Sequence, residues 1–132
     1  MQTSTHVSDE KKEELGIIFP GMRDHHILNI YRDLRNKLLR ISDYQNFVCV
    51  LSSLSPDGDT AKLSMNLAAV FAFDKSRSSI VIECDTNHSL IEKLSTQESD
   101  NGLIDFIEND LDDISILIQE SGIERLRIVP AG

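Results

Sequence analysis

The chain has no tryptophan, only two tyrosines, three prolines and two cysteines, and its 13 basic residues are outnumbered by 22 acidic ones. That shortage of positive charge leaves a formal net charge of -9, which repels phosphate backbones and anionic membrane surfaces, so no nucleic-acid partner is expected. Two cysteines cannot build a disulfide framework in 132 residues. Cys49 and Cys84 each lie in an apolar run, where a reduced, buried thiol is the usual state, and this favours the cytoplasm. No run approaches the ~18 apolar residues of a spanning helix, and the opening residues lack the apolar centre of a signal peptide. A soluble protein with no direct membrane insertion is therefore expected. Internal repeats and low-complexity tracts are also missing. What remains is 40% hydrophobic residues in a length that suits one packed domain.

Residues 1–22 carry Thr, Ser, Asp, Glu and Lys in excess and read as a flexible polar leader, with a short helix around Glu10 to Leu15 and Pro20-Gly21 closing it. The domain is expected over residues 23–132. Asp24 suits an N-cap, and Ile27, Ile30, Tyr31, Leu34, Leu38 and Ile41 follow at the spacing of one helical face. Phe47-Val-Cys-Val-Leu51 is uncharged and β-branched, the pattern of a strand buried on both faces. A loop over residues 52–59 leads to an expected helix from Thr60 to Phe73. Ser79-Ile-Val-Ile-Glu-Cys84 reads as a second buried strand and Leu126-Arg-Ile-Val129 as a third, with acidic helical segments over residues 89–94 and 103–119 between them. Alternating strands and helices argue for an α/β fold with a parallel sheet.

The most informative stretch runs from Val48 through Ser52-Ser-Leu-Ser-Pro-Asp-Gly-Asp-Thr-Ala-Lys62 to Asn66-Leu-Ala68. It resembles the Walker A region of the bacterial tyrosine autokinases of exopolysaccharide and capsule export: an apolar strand, Thr/Ser-Ser, two residues, Pro-Gly-Glu-Gly-Lys-Ser-Thr, then a helix with Asn-Leu-Ala. Tyr31-Arg-Asp-Leu-Arg35 is similar to the family's helix before that loop, and Ile80-Val-Ile-Glu-Cys-Asp85 to its second Walker strand. Gly102-Leu-Ile-Asp105 resembles Gly-Leu-Ser/Thr-Asp, and residues 123–132 resemble the strand and loop ending in Pro-Ala-Gly. Five segments in register, over residues 26–132, carry the resemblance. It implies a three-layer parallel sheet of P-loop type, incomplete relative to the family, which continues through a further strand and Walker motif.

The departures concern the chemistry. A working P-loop cradles phosphate with backbone N–H groups of a glycine-rich turn, reaches the outer phosphates with a lysine, and binds magnesium through the next hydroxyl. Aligned without gaps, that loop falls on Pro56, Asp57, Gly58, Asp59, Thr60, Ala61 and Lys62. Asp57 and Asp59 replace glycines, Thr60 the lysine and Ala61 the magnesium-binding hydroxyl. A carboxylate ~5 Å from a phosphate oxygen costs about 3 kcal/mol per charge pair at an effective dielectric of about 20. Lys62 stands two places beyond the lysine's position and points elsewhere on the helix. At the second Walker strand Glu83 takes the place of the first Asp while Asp85 is kept, a change of one methylene where metal geometry is demanding.

Other residues have plainer readings. Asp59 or Thr60 suits an N-cap in an ordinary strand-to-helix turn. Arg32 and Arg35 fall on the family's subunit-contact motif, whose Glu position is Asn29 here, and are equally readable as solvated cations. His25-His26 point about 100° apart on a helix, no nucleophile accompanies Asp85 and His88, no G-x-S-x-G turn surrounds Ser52, Ser53 or Ser55, and the acidic residues 108–113 lack the alternating ligands of a calcium loop. No catalytic residue and no metal site are expected. The resemblance thus implies a non-catalytic protein of exopolysaccharide or capsule biosynthesis and export. It would bind the cytoplasmic segment of a membrane polysaccharide co-polymerase, be drawn to the inner face of the membrane by that partner, and form a homo-oligomer through Arg32 and Arg35. The alternative is an ATP-dependent tyrosine kinase or ATPase with a divergent loop, and only then would ATP and magnesium be cofactors.

Overall fold

A computed structural model describes residues 7–55, 59–85, 101–109 and 112–132. Among them are four α-helices, α1 (Asp9–Leu15), α2 (His25–Ile41), α3 (Thr60–Ala72) and α4 (Leu103–Glu108), a 3₁₀ turn at Ile114–Leu117, and three strands, β1 (Ser79–Ile82), β2 (Gln119–Glu120) and β3 (Leu126–Val129). The helical segment expected over residues 89–94 lies outside the described residues.

The first three helices begin where the sequence supplies a side-chain cap. The Ser8 hydroxyl accepts from Lys11 N at 3.2 Å, Asp24 Oδ1 from Ile27 N at 3.2 Å, and Asp59 Oδ1 from Lys62 N at 3.1 Å, each satisfying one of the N–H groups that a helix leaves without an internal partner. α1 ends at Gly16, whose φ of 73° is the left-handed conformation that lets its N–H and that of Ile17 return to Glu13 and Lys12 carbonyls.

β3 lies between the other two strands. It pairs in parallel with β1, Ser79 opposite Leu126 and Ile82 opposite Val129, and antiparallel with the two-residue β2. The sheet is therefore mixed rather than purely parallel. Val81, Leu126 and Ile128 turn inward and join Ile17, Ile18, Leu28, Met65 and Val70 in one core. On the opposite face Ile80 is 48% exposed, and Arg127 meets Glu120 at 3.2 Å in the open. Among the described residues α3 packs on the inner face with α2 behind it, giving a small mixed α/β domain.

Several expectations need correction. The leader expected over residues 1–22 belongs to the packed domain from Val7 onward: Val7 N donates to Gly122 O at 2.9 Å, and Ile17 and Ile18 are buried. The run Phe47-Val-Cys-Val-Leu51 forms no strand. Phe47 packs edge-on to Phe71 at 5.5 Å and Leu51 against the core, but Val48 and Val50 stand 94% and 88% exposed. Neither a ladder nor burial of alternate residues is present, since Cys49 between the two valines is exposed as well. Cys49 and Cys84 are accordingly exposed, not buried. β1 stops two residues before Cys84: its last ladder bond is Glu83 N to Val129 O at 2.9 Å, and the next N–H facing it, that of Ala131, goes to the Glu83 side chain at 3.4 Å. The helix expected over residues 103–119 ends at Glu108. Asn and Asp then favour caps over helix interior, Asp113 accepts from Ser115 N at 2.9 Å to start the 3₁₀ turn, and the chain returns as β2.

The connections are held by short polar contacts. After α3, the amide and hydroxyl of Ser76 bond to Asp74 Oδ1 at 2.9 and 2.8 Å and hold its carboxyl below the usual carboxylate range. Before β3, the buried Ser121 hydroxyl accepts from Ile123 N at 3.0 Å and donates to Leu126 O at 2.6 Å.

Unfolding in urea distinguishes the observed course of residues 47–51 from a buried strand. Val48→Thr and Val50→Thr should each change stability by less than about 0.5 kcal/mol, whereas Leu126→Ala should cost about 2 to 5 kcal/mol. Valine costs above about 2 kcal/mol would place this run inside the sheet.

Candidate functional site

Of the loop residues singled out by sequence, Pro56, Asp57 and Gly58 lie outside the described residues. The others form the start of α3. Asp59 is its N-cap, and Thr60 and Ala61 open its first turn; the Thr60 carbonyl accepts from Ser64 Oγ at 2.7 Å. The positive end of the helix dipole, where a phosphate would dock, thus already carries the Asp59 carboxylate. Lys62 runs back over α1's end. A Cβ built on Gly16 would lie 2.5 Å from Lys62 Cε and 2.8 Å from its Nζ. The absence of a side chain at Gly16 is what lets the lysine lie flat there.

Glu83 and Asp85 follow β1. Glu83 Oε2 accepts from Ala131 N at 3.4 Å, which ties the end of β1 to the chain after β3. Gly102 and Asp105, distant in sequence, come to the same end of the sheet: Gly102 N donates to Asp105 Oδ2 at 2.6 Å, and the first amides of α4, Leu103 N and Ile104 N, donate to Pro130 O and Ala131 O at 2.9 Å each. A Cβ on Gly102 would fall 2.2 Å from Gly132 N, so only glycine permits this approach. The structure therefore brings together Glu83, Gly102, Asp105 and residues 130–132.

Arg35 faces inward. Its Nη1 donates to Val70 O at 3.2 Å, and Arg125 donates from Nε and Nη2 to Ala72 O at 3.0 and 2.8 Å. Two guanidinium groups thus cap the carbonyl end of α3, where cations are favoured. Arg32 is half-buried on α2, and His25 and His26 are exposed at its start. Among the described residues no three His, Cys, Asp or Glu side chains stand together as a metal-binding group.

A second feature was missed by the sequence reading. Asn66, 1% exposed in mid-α3, accepts from Ile18 N at 2.9 Å and donates to Gly16 O at 3.0 Å and Tyr31 Oη at 3.3 Å. This amide holds the α1–α2 linker against both helices. Between linker and helices lies a groove of about 710 Å³, walled by Phe19, Met22 and Ile27, with Tyr31 and Asn66 inside and Lys62 on its rim. The signal available in the sequence was a lone amide between Met65 and Leu67, at the start of the apolar second half of α3. No family model, curated protein or solved structure matches the chain.

Asn66→Ala would leave Ile18 N–H and Gly16 C=O without their buried partner. Chemical denaturation should show a loss of about 2 to 4 kcal/mol, at about 1 to 3 kcal/mol for each buried group left unsatisfied. A change below about 0.5 kcal/mol, the range of an ordinary surface substitution, would show that the amide is not the clamp of the linker.

Proposed function

We propose that the chain is a non-catalytic domain of P-loop type in exopolysaccharide or capsule biosynthesis and export, acting as a cytoplasmic partner or regulator of a membrane polysaccharide co-polymerase. The observation that carries the non-catalytic part is Asp59. Its carboxylate accepts an N–H of α3 at 3.1 Å, so a triphosphate approaching that helix end meets a negative charge in place of free donors, and Lys62 lies over Gly16 instead. These residues do not fit a magnesium–nucleotide complex, and no transfer step is derived through one.

The pathway part rests on the resemblance. In its support, β1 and β3 are adjacent and parallel and α3 packs on them, while Gly102, Asp105 and residues 130–132, which carry two of the resembling segments, meet at the ends of these strands. Action by association suits the exposed apolar side chains Ile80, Ile82, Val48 and Val50. Self-association through Arg35 is less suited, since that guanidinium caps α3.

Calorimetric titration with Mg-ATP should give no saturable heat up to about 1 mM, a binding free energy weaker than about 4 kcal/mol. Replacing Asp57 and Asp59 by Gly, Thr60 by Lys and Ala61 by Ser should create measurable binding. Micromolar affinity in the unaltered protein, abolished by Lys62→Ala, would overturn the non-catalytic reading. Removal of the protein from its own cell should alter the amount or chain length of exported polysaccharide, and no change in either would overturn the pathway.

A further inference from the structure

The groove between the α1–α2 linker and the two long helices has the size of a small-molecule site, which typically spans about 300–1,000 Å³. Its walls are apolar, from Phe19, Met22 and Ile27. Four of its six polar side chains, those of Arg23, Tyr31, Lys62 and Asn66, carry N–H or O–H donors. Both Asn66 Nδ2 hydrogens are used, one on Gly16 O and one on Tyr31 Oη. Tyr31 therefore accepts from Asn66, and its own hydroxyl hydrogen is directed to no acceptor among the described residues. The Lys62 ammonium, laid over Gly16, and the Arg23 guanidinium also line the groove, and neither has a carboxylate partner among the described residues.

Two carboxylates line it as well. Asp24 is engaged with Ile27 N as the cap of α2; Glu13 is exposed on α1. Lys62 and Arg23 balance these two charges, and the whole chain carries -9. A polyanion such as a nucleoside triphosphate is thus repelled, while a single negative charge can be held by a charge-assisted bond from Lys62 and the Tyr31 hydroxyl. From the donor set, the apolar walls and this balance, we infer that the groove binds a small monocarboxylate with an apolar body, its carboxylate between Tyr31 Oη and Lys62 Nζ and its hydrocarbon part against Phe19, Met22 and Ile27.

Of the described loop residues 59–62 the groove shares Lys62 alone, and it rests on its own lining rather than on the nucleotide reading. The test uses the full chain, with phenylbutyrate as probe and the neutral phenylbutanol as its control, followed by calorimetry and by amide chemical shifts. Phenylbutyrate should bind saturably, with shifts centred on residues 16–31 and 62–66, and at least about tenfold more tightly than the alcohol, the equivalent of about 1.4 kcal/mol. Lys62→Met, on the surface and neutral to folding, and Tyr31→Phe, checked for native circular dichroism, should each weaken the acid about tenfold and leave the alcohol unchanged. Absence of saturable binding, equal affinity for acid and alcohol, or an acid affinity untouched by Lys62→Met would overturn the inference.

Discussion

Asn66 is where the separate parts of this domain are joined. An asparagine in mid-helix is a modest cost to α3, and a buried amide without partners is a larger one. Both are offset because its oxygen and nitrogen together reach Ile18 N, Gly16 O and Tyr31 Oη. One side chain of α3 thereby fixes the end of α1, the linker and the middle of α2. With the linker held, Ile17 and Ile18 are delivered to the core beside Met65 and Val70, and those residues meet Leu126 and Ile128 of β3. Without that clamp, the linker's buried amide and carbonyl would need water, and the apolar pair beside them would be drawn out with it.

The same helix is matched electrostatically at both ends, with consequences for what its surface can do. Asp59 sits at the positive end, and Arg35 and Arg125 at the negative end. Arg125 holds a φ of 60°, a conformation that costs a non-glycine residue roughly 1 to 2 kcal/mol, and its two bonds to Ala72 O explain why it persists. The cap that stabilises the start of α3 also places a carboxylate at that end of the helix. Arg35, partly buried, spends one of its donors on the α3 carbonyl end, which leaves less of the guanidinium for an intermolecular contact.

Local signals were legible where the chemistry is local. Asp24 and Asp59 announce helix starts, the spacing from Ile27 to Ile41 announces α2, and Leu126-Arg-Ile-Val129 reads correctly as a strand. Residues 47–51 misled because an uncharged β-branched run looks the same whether or not a neighbouring strand supplies its hydrogen bonds; the exposed Val48 and Val50 show that pattern alone does not create a ladder. Residues 103–119 misled because acidic residues between apolar ones fit a helix face, while Asn109 and Asp113 were stop and cap signals in the middle of it. The groove was hidden for a different reason. Its members come from residues 13–31 and 62–66, and only the long-range bonds of Asn66 bring them together.

The exposed apolar side chains and the acidic charge act against one another. Among the described residues α3 packs on one face of the sheet, Ile80 and Ile82 stand half-exposed, and β1 forms an edge. An open edge beside apolar side chains invites pairing with another chain. Each copy, however, carries -9, and like charges repel over about a Debye length, roughly 8 Å at physiological salt. The outer face adds the Arg127–Glu120 ion pair, which places charge next to Ile80 where an approaching strand would have to desolvate it. Contact between two copies of this chain is therefore opposed at long range and favoured only at close range. A surface of opposite charge would meet no such long-range repulsion, so the charge balance of an approaching surface decides whether these apolar side chains are reached.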